Sequence, residues 1–135
     1  EALEALEPAT RIHGDYHLGQ VLHEIGGQQR WYVLDFEGEP LRPLAERSDP
    51  DLPARDVAGM LRSFDYAAAS GDAPEGWRDE ARAAFLDGYG GSTGTLADVL
   101  LAYEVDKAVY EVVYETRNRP THIRIPVDYL AGIES

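Results

Sequence analysis

The sequence has no cysteine among its 135 residues, which excludes disulfides and thiolate metal sites. Basic residues are also scarce: 12 Lys and Arg stand against 25 Asp and Glu, and the formal net charge is −13. A chain this acidic lacks the basic patch that binding to nucleic acid or to an anionic membrane surface requires. No apolar run approaches the roughly 20 residues of a membrane-spanning helix. We therefore expect a cytoplasmic protein that binds neither nucleic acids nor membranes.

What is present fits a single globular domain. Hydrophobic residues make up 44% of the chain, which includes eight Tyr and two Trp. This length is sufficient to bury a hydrophobic core. The first residues, EALEALE, have an acidic helical pattern and no initiator Met. We expect the tail of a helix over residues 1–7, stopped by Pro8, in a chain cut from a longer protein.

The first half of the chain has a β pattern. A polar loop over residues 10–20 precedes two short β-rich runs, 20–25 and 31–36. The tetrapeptide Gly26-Gly27-Gln28-Gln29 between them is typical of a hairpin turn. Residues 37–53 are rich in proline with mixed charge, which indicates an ordered functional loop.

The second half has helical periodicity. It predicts helices over residues 54–70, 77–89, 95–117 and 126–133. Thr95 and Asp98 form a capping pattern at the start of the third helix. A lone hairpin is not stable by itself, so it must pack on these helices. The predicted fold class is mainly α with a small β-hairpin, that is, α+β.

The segment HGDYHLGQ, residues 13–20, predicts the chemistry. Asp15 can accept the proton of a hydroxyl group while that oxygen attacks phosphorus. Gln20 offers an amide oxygen, and Asp35 ends the second β run with a carboxylate; both are ligands that Mg²⁺ accepts. A loop base followed by two metal ligands is the acceptor-and-metal half of a site that transfers phosphate from ATP.

Three neighbouring side chains have less certain roles. His13 belongs to the catalytic loop with Asp15, and we expect both His13 and His17 to brace that loop through their ring nitrogens. A zinc site built from His13, His17 and Asp15 is the alternative, but it needs a further ligand and gives Asp35 no role. Glu37 is either a further metal-binding carboxylate or the polar end of a strand.

The third predicted helix carries a polar aromatic face. An apolar face, which we expect in the core, comprises Leu101, Val105, Ala108, Val109 and Val112, and an acidic face comprises Glu104, Glu111 and Glu115. The remaining face holds Tyr103, Lys107, Tyr110, Tyr114 and Arg117. Tyrosine rings can stack on sugars and bond their hydroxyls. The alternative is a half-buried tyrosine stripe with ion pairs such as Lys107 with Glu111.

Four segments together carry a family resemblance: HGDYHLGQVL, VLDFEGEP, RDVAGMLRSFDYAA and YEVVYETRNRP. They resemble the bacterial maltokinases, including those fused to trehalose synthase, within the aminoglycoside phosphotransferase and choline kinase superfamily. Gln20 stands where most of that superfamily has Asn. The resemblance implies the C-terminal lobe of a protein-kinase-like fold that uses ATP and Mg²⁺ to convert maltose to maltose 1-phosphate for α-glucan synthesis. It further implies an acceptor site formed by Asp15, Tyr66, Lys107, Tyr110, Glu111, Tyr114 and Arg117.

One half of such an enzyme is missing from the sequence. No glycine-rich phosphate loop and no lysine-bearing strand precede residue 13. We therefore expect residues 1–135 to form the acceptor-binding lobe, with the ATP-binding N-terminal lobe as its partner, and the isolated chain to be inactive. Phosphorylation of an aminoglycoside or another small hydroxyl compound, and a non-catalytic binding module, remain alternatives. Dimerisation and association with trehalose synthase also remain open.

Overall fold

The computed structural model describes residues 6–133 as a β-hairpin followed by helices. The strands are β1 (Val21–His23) and β2 (Trp31–Val33). The helices are α1 (Ala54–Ser70), α2 (Trp77–Tyr89), α3 (Gly94–Asn118) and α4 (Arg124–Ile133). Short 3₁₀ turns lie at Leu18–Gln20, Leu44–Glu46 and Pro120–His122. The predicted class, mainly helical with a two-stranded antiparallel sheet, is confirmed.

The predicted N-terminal helix is tested only at its last two residues. Residues 1–5 lie outside the described residues, and residues 6 and 7 are not helical. Thr10 instead pairs with Asp51 in an isolated antiparallel bridge, with N–O distances of 2.9 and 2.8 Å. This bridge ties the start of the described chain to the segment that leads into α1.

The hairpin is shorter than predicted. Val21 pairs with Val33, and His23 pairs with Trp31, on which its ring stacks at 4.2 Å. Gly26 and Gly27 in the turn have φ values of 86° and 56°, which favour glycine. The predicted turn therefore forms, while the strands cover only three residues of each predicted β run.

Helix α1 is the centre of the helical part and packs on α2, α3 and α4. Its apolar face buries Val57, Ala58 and Leu61 against Leu100 of α3. Phe64 adds an edge-on contact to Phe85 of α2, with ring centroids 5.9 Å apart. The bounds of α1 and α2 agree with the spacing of apolar residues in the sequence.

The side of helix α3 that is buried differs from the apolar face that the sequence predicted. Its buried residues are Leu100, Glu104, Ala108, Glu111 and Glu115. The expectation that the apolar face forms the core is wrong at Leu101 and Val109, which are 45% and 51% exposed. The physical reason is that α1 and α2 present arginines to α3, and buried arginines require carboxylate partners. Ion pairing thus decides which side of α3 is buried.

Helix α3 also begins without the predicted cap. It starts at Gly94, one residue before Thr95, and the N-cap residue Thr93 makes no side-chain capping hydrogen bond. Helix α4 begins at Arg124, two residues before the predicted start. Within residues 6–133, no helix combines the length and the apolar character needed to cross a membrane.

Candidate active site

The loop that carries Asp15 is anchored to the first turn of α1. The carboxylate of Asp56 accepts the backbone N–H groups of His13 at 2.7 Å and of Gly14 at 2.9 Å. Gly14 has φ of 86°, and a Cβ there would lie 3.1 Å from the Cα of Gly38. The partners of Asp56 are more than 40 residues away in the sequence, so spacing alone could not reveal them.

His13 connects this loop to the end of β2. Its buried ring donates from Nε2 to the carbonyl oxygen of Leu34 at 2.6 Å, and its Nδ1 accepts the N–H of Asp15 at 3.1 Å. Leu34 in turn donates its N–H to the carbonyl oxygen of Gln20 at 2.8 Å. One imidazole therefore fixes the position of Asp15 and of the residue that precedes Asp35, which is the bracing geometry expected of His13.

The amide of Gln20 lies between two carboxylates. Its Nε2 donates to Asp35 Oδ2 at 3.1 Å and reaches Asp15 Oδ2 at 3.5 Å. Asp35 has φ of 58°, which is uncommon for a residue other than glycine. Such backbone conformations persist where the surrounding structure holds them, and they are concentrated at functional sites. The structure thus brings together the three residues that the sequence selected as base and metal ligands.

His17 lies beside the same carboxylate. Its Nε2 is 3.7 Å from Asp15 Oδ2, and its Nδ1 accepts the N–H of Gly19 at 3.1 Å. Burial by itself would raise the pKa of Asp15, but His17, Lys107 and Gln20 oppose it and hold that pKa below its usual value. Asp15 is consequently a carboxylate at neutral pH and is able to accept a proton.

The donor set fits magnesium better than zinc. Within residues 6–133, no three His, Cys, Asp or Glu side chains are grouped closely enough to hold a metal ion, as a structural zinc site would require. Mg²⁺ commonly uses one or two carboxylates and completes its shell with water and substrate phosphates. Asp35 and the Gln20 carbonyl oxygen match that need, and the Gln20 amide, whose nitrogen faces both carboxylates here, would turn over to offer that oxygen. Glu37 is exposed, and its predicted role at the metal stays a prediction.

A cleft of about 630 Å³ opens beside Asp15, between α1, α3 and the loop after β2. That volume is within the range of small-molecule sites. Of the predicted acceptor residues, it brings together Asp15, Tyr66, Lys107, Tyr110, Glu111 and Tyr114. The remaining lining residues are His17, Glu39, Pro40, Leu41, Gly59, Arg62, Ser63, Glu115 and Arg119. The site is therefore continuous from the candidate base to the polar face of α3.

Polar aromatic groups cover one wall of this cleft. The rings of Tyr110 and Tyr114 stack with centroids 6.3 Å apart. Tyr66 donates its hydroxyl to Glu115 Oε1 at 3.4 Å, and burial with the nearby carboxylates raises the pKa of Tyr66 well above its usual value. Tyr66 therefore remains neutral, and this wall offers ring faces and hydroxyl groups to a ligand.

Helical spacing predicted that Arg117 would line the cleft, but it does not. Arg119 lines the cleft instead. Arg119 lies just beyond α3 and turns back to pair with Glu115 at 2.6 Å. The i,i+4 relation of Glu115 and Arg119 was the available signal. Arg117 is exposed, and Tyr103 lies apart from this cleft, with its hydroxyl 3.4 Å from Asp51 Oδ1.

Gly59 lets α1 approach the loop. A Cβ at this position would lie 2.7 Å from the carbonyl oxygen of Tyr16, which is closer than real Cβ contacts. The Nζ of Lys107 would be 3.8 Å from the same Cβ. The absence of a side chain at Gly59 therefore brings Asp15, α1 and α3 together around one cleft.

A loop carboxylate, an amide and a second carboxylate at the edge of a ligand-sized cleft define the acceptor-and-metal side of a phosphotransferase. The sequence comparison agrees: the model of the phosphotransferase enzyme family matches residues 1–100. The chain belongs to this family.

Several similar proteins are glucosamine kinases. The chain is 31% identical to one from Streptacidiphilus jiangxiensis, over 88% of this chain and 30% of that protein. It is 32% identical to one from Mycolicibacterium smegmatis, over 88% of this chain and 33% of that protein. A structure of glucosamine kinase with glucosamine, ADP and inorganic phosphate superimposes with a TM-score of 0.72 at 27% identity, covering 91% of this chain and 32% of that one.

Two facts follow from these relatives. The chain spans about a third of the length of the glucosamine kinases that it matches. The superfamily expected from the sequence is confirmed, whereas these relatives do not support the narrower resemblance to maltokinases.

Proposed function

We propose that this chain is the acceptor- and metal-binding part of an ATP-dependent sugar kinase. The observation that carries the proposal is the contact of Gln20 with both Asp15 and Asp35 at the edge of the cleft. A second lobe would supply the nucleotide-binding half. The similarity to about a third of each glucosamine kinase supports this division of the enzyme.

The proposed reaction transfers the γ-phosphoryl group of ATP to a sugar hydroxyl. The hydroxyl oxygen forms the new bond to phosphorus as the bond to ADP breaks, and Asp15 accepts the hydroxyl proton. Gln20 and Asp35 would hold Mg²⁺. Mg²⁺ bound there would neutralise the charge of the phosphates. His13 and Asp56 keep the loop in place without contacting the acceptor.

We propose an amino sugar such as glucosamine as the acceptor, in preference to maltose. Four of the side chains that line the cleft are carboxylates and three are Lys or Arg, so a cationic acceptor is better balanced than an anionic one. The tyrosines suit the ring and hydroxyls of either sugar. The named substrate of the relatives adds weight to the amino sugar.

Two further expectations accompany this function. An enzyme that uses Mg-ATP is expected in the cytoplasm, which agrees with the absence of cysteine. The N-terminal lobe is its expected partner; a dimer or an association with trehalose synthase stays a prediction.

The test is a phosphorylation assay with the whole protein that carries this chain. Mg-ATP would be combined in turn with glucosamine, glucose, maltose and an aminoglycoside. We expect phosphorylated glucosamine, with glucose and maltose much poorer because they lack the ammonium group. Phosphorylation of maltose alone would restore the maltokinase assignment. A protein that binds these compounds without phosphorylating any would be the non-catalytic module.

A further inference from the structure

Arg62 is a fully buried cation that reaches the acceptor cleft from inside the protein. It is 1% exposed. Its Nη2 donates to Glu111 Oε2 at 2.8 Å, and its Nε lies 3.2 Å from the same oxygen and 3.4 Å from Oε1. Glu111 lies 49 residues further along the chain, on the wall of the cleft. A guanidinium in α1 therefore binds a carboxylate that α3 places on the wall of the cleft.

The position of Arg62 is fixed by groups other than Glu111. Its Nη1 donates to Asp65 on the next turn of α1, and Asp65 also accepts from Arg78 of α2 at 2.5 Å. The ring of Tyr129 in α4 covers the guanidinium at 4.2 Å. Asp65 of α1 and Tyr129 of α4 thus contact the guanidinium, and Arg78 of α2 holds Asp65 in place.

We infer that Arg62 is a positioning residue, which holds the Glu111 carboxylate in the cleft as the anion that meets an amino-sugar acceptor. The inference rests on the proposed function for the ligand, while the contact between Arg62 and Glu111 stands on the geometry alone. Arg62 lines the inner wall of the cleft, and its planar guanidinium fixes the direction of the carboxylate that it binds.

Electrostatics supports this role. The charged groups that act on Glu111 are Arg62 and Asp65 from α1 and Lys107 from its own helix. Burial raises the pKa of Glu111 above its usual value, although Arg62 and Lys107 oppose the rise. Without Arg62 that pKa would rise further, so Glu111 would be protonated over a wider pH range. A protonated Glu111 would no longer attract an ammonium group.

The chain offers a matched control. Arg82 of α2 is 17% exposed and binds Glu104 through two contacts of 2.7 and 3.0 Å. Neither Arg82 nor Glu104 lines the acceptor cleft. Arg62→Met removes ion pairs with Asp65 and Glu111, and Arg82→Met removes ion pairs with Asp65 and Glu104. Both variants therefore lose a partner of Asp65, but only Arg62→Met removes a partner of a carboxylate that lines the cleft. Loss of stability alone would affect both variants similarly.

The first measurement needs no ligand. The side-chain ¹³C resonance of Glu111 in the full chain would be followed from pH 3 to 8 in wild type, Arg62→Met and Arg82→Met. We expect the pKa of Glu111 to rise clearly in Arg62→Met and to stay unchanged in Arg82→Met. An equal pKa in all three proteins would overturn the inference. This result does not depend on which sugar the protein binds.

The second measurement is calorimetric binding of glucosamine. We expect Arg62→Met to weaken binding at least tenfold at pH 6, and the ratio of its Kd to that of wild type to fall as pH rises. Arg62→Lys keeps the positive charge but lacks the planar guanidinium, so we expect its affinity for glucosamine to be several-fold weaker than that of wild type. This variant replaces Arg62→Met in the experiment if Arg62→Met does not fold. Wild-type affinity in Arg62→Lys would overturn the inference. Lack of binding by wild type would refute the proposed function instead, and the titration would still decide the role of Arg62.

Discussion

The loop and hairpin around Asp15 and the ionic interior around Arg62 organise charge in opposite ways. In the loop region, side chains hold backbone groups, as Asp56 accepts the N–H groups of His13 and Gly14. In the interior, side chains hold one another, as Arg62 holds Asp65 and Glu111. The first arrangement leaves Asp15 and Asp35 available to ligands. The second neutralises buried charge and fixes the helices on which the acceptor cleft depends.

Among substitutions in the loop region, we expect Asp15→Asn to lower the reaction rate most. An amide cannot accept the acceptor proton, and general base catalysis commonly contributes about 10²–10⁴-fold to a rate. We expect kcat for the preferred sugar to fall by that order with little change in KM. The measurement is steady-state kinetics of the whole protein with Mg-ATP.

Asp72→Asn is a suitable control for Asp15→Asn. Asp72 is an exposed carboxylate in the turn after α1 and does not line the acceptor cleft. Its replacement should leave kcat unchanged. If Asp15→Asn retained the wild-type rate, Asp15 would not be the base, and the function of the loop would have to be sought in binding.

Asp56→Asn should have the next largest effect, because it loosens the loop without touching the acceptor. Asn has one acceptor oxygen, so its NH₂ group would face one of the two backbone N–H groups. Leaving a buried donor without a partner costs about 1–3 kcal/mol. A small displacement of Asp15 would reduce kcat roughly 10- to 100-fold. Urea unfolding and kinetics would measure the two effects.

Asp79→Asn is the control for Asp56→Asn, because the two residues occupy similar positions in their helices. Asp79 lies in the first turn of α2 as Asp56 does in that of α1, but its side chain is 78% exposed. Loss of an exposed carboxylate there should cost less than about 1 kcal/mol and leave kcat unaltered. If both variants behaved alike, the contacts of Asp56 with the loop would carry no functional weight.

The sequence predicted the two regions unequally, for a physical reason. Asp15, Gln20 and Asp35 lie within one short stretch whose chemistry is specific, so their association was foreseeable. The helices α1 and α2 were also predicted with their observed bounds, because their apolar residues recur at helical spacing. Helix α3 was predicted in position but not in orientation. Its buried side depends on Arg62 and Arg82, which lie on other helices. The periodicity of the α3 sequence alone therefore cannot predict which side is buried.

The loop region and the helical interior are in contact at Gly59, and substitutions of two glycines test that contact. Helix α1 passes so close to the loop that a Cβ on Gly59 would lie 2.7 Å from the carbonyl oxygen of Tyr16. A backbone oxygen cannot move aside as a flexible side chain does. Overpacking of this kind typically costs about 1–3 kcal/mol. We expect Gly59→Ala to lower the free energy of unfolding by that amount.

Gly88→Ala is expected to change the free energy of unfolding in the opposite direction. Gly88 lies within α2, and a Cβ there would have no atom within 4 Å. Because alanine favours helix over glycine, this change should stabilise the protein by up to about 1 kcal/mol. Urea unfolding of both variants separates helix propensity from contact with the loop. If Gly59→Ala were also stabilising, α1 would not press against the loop.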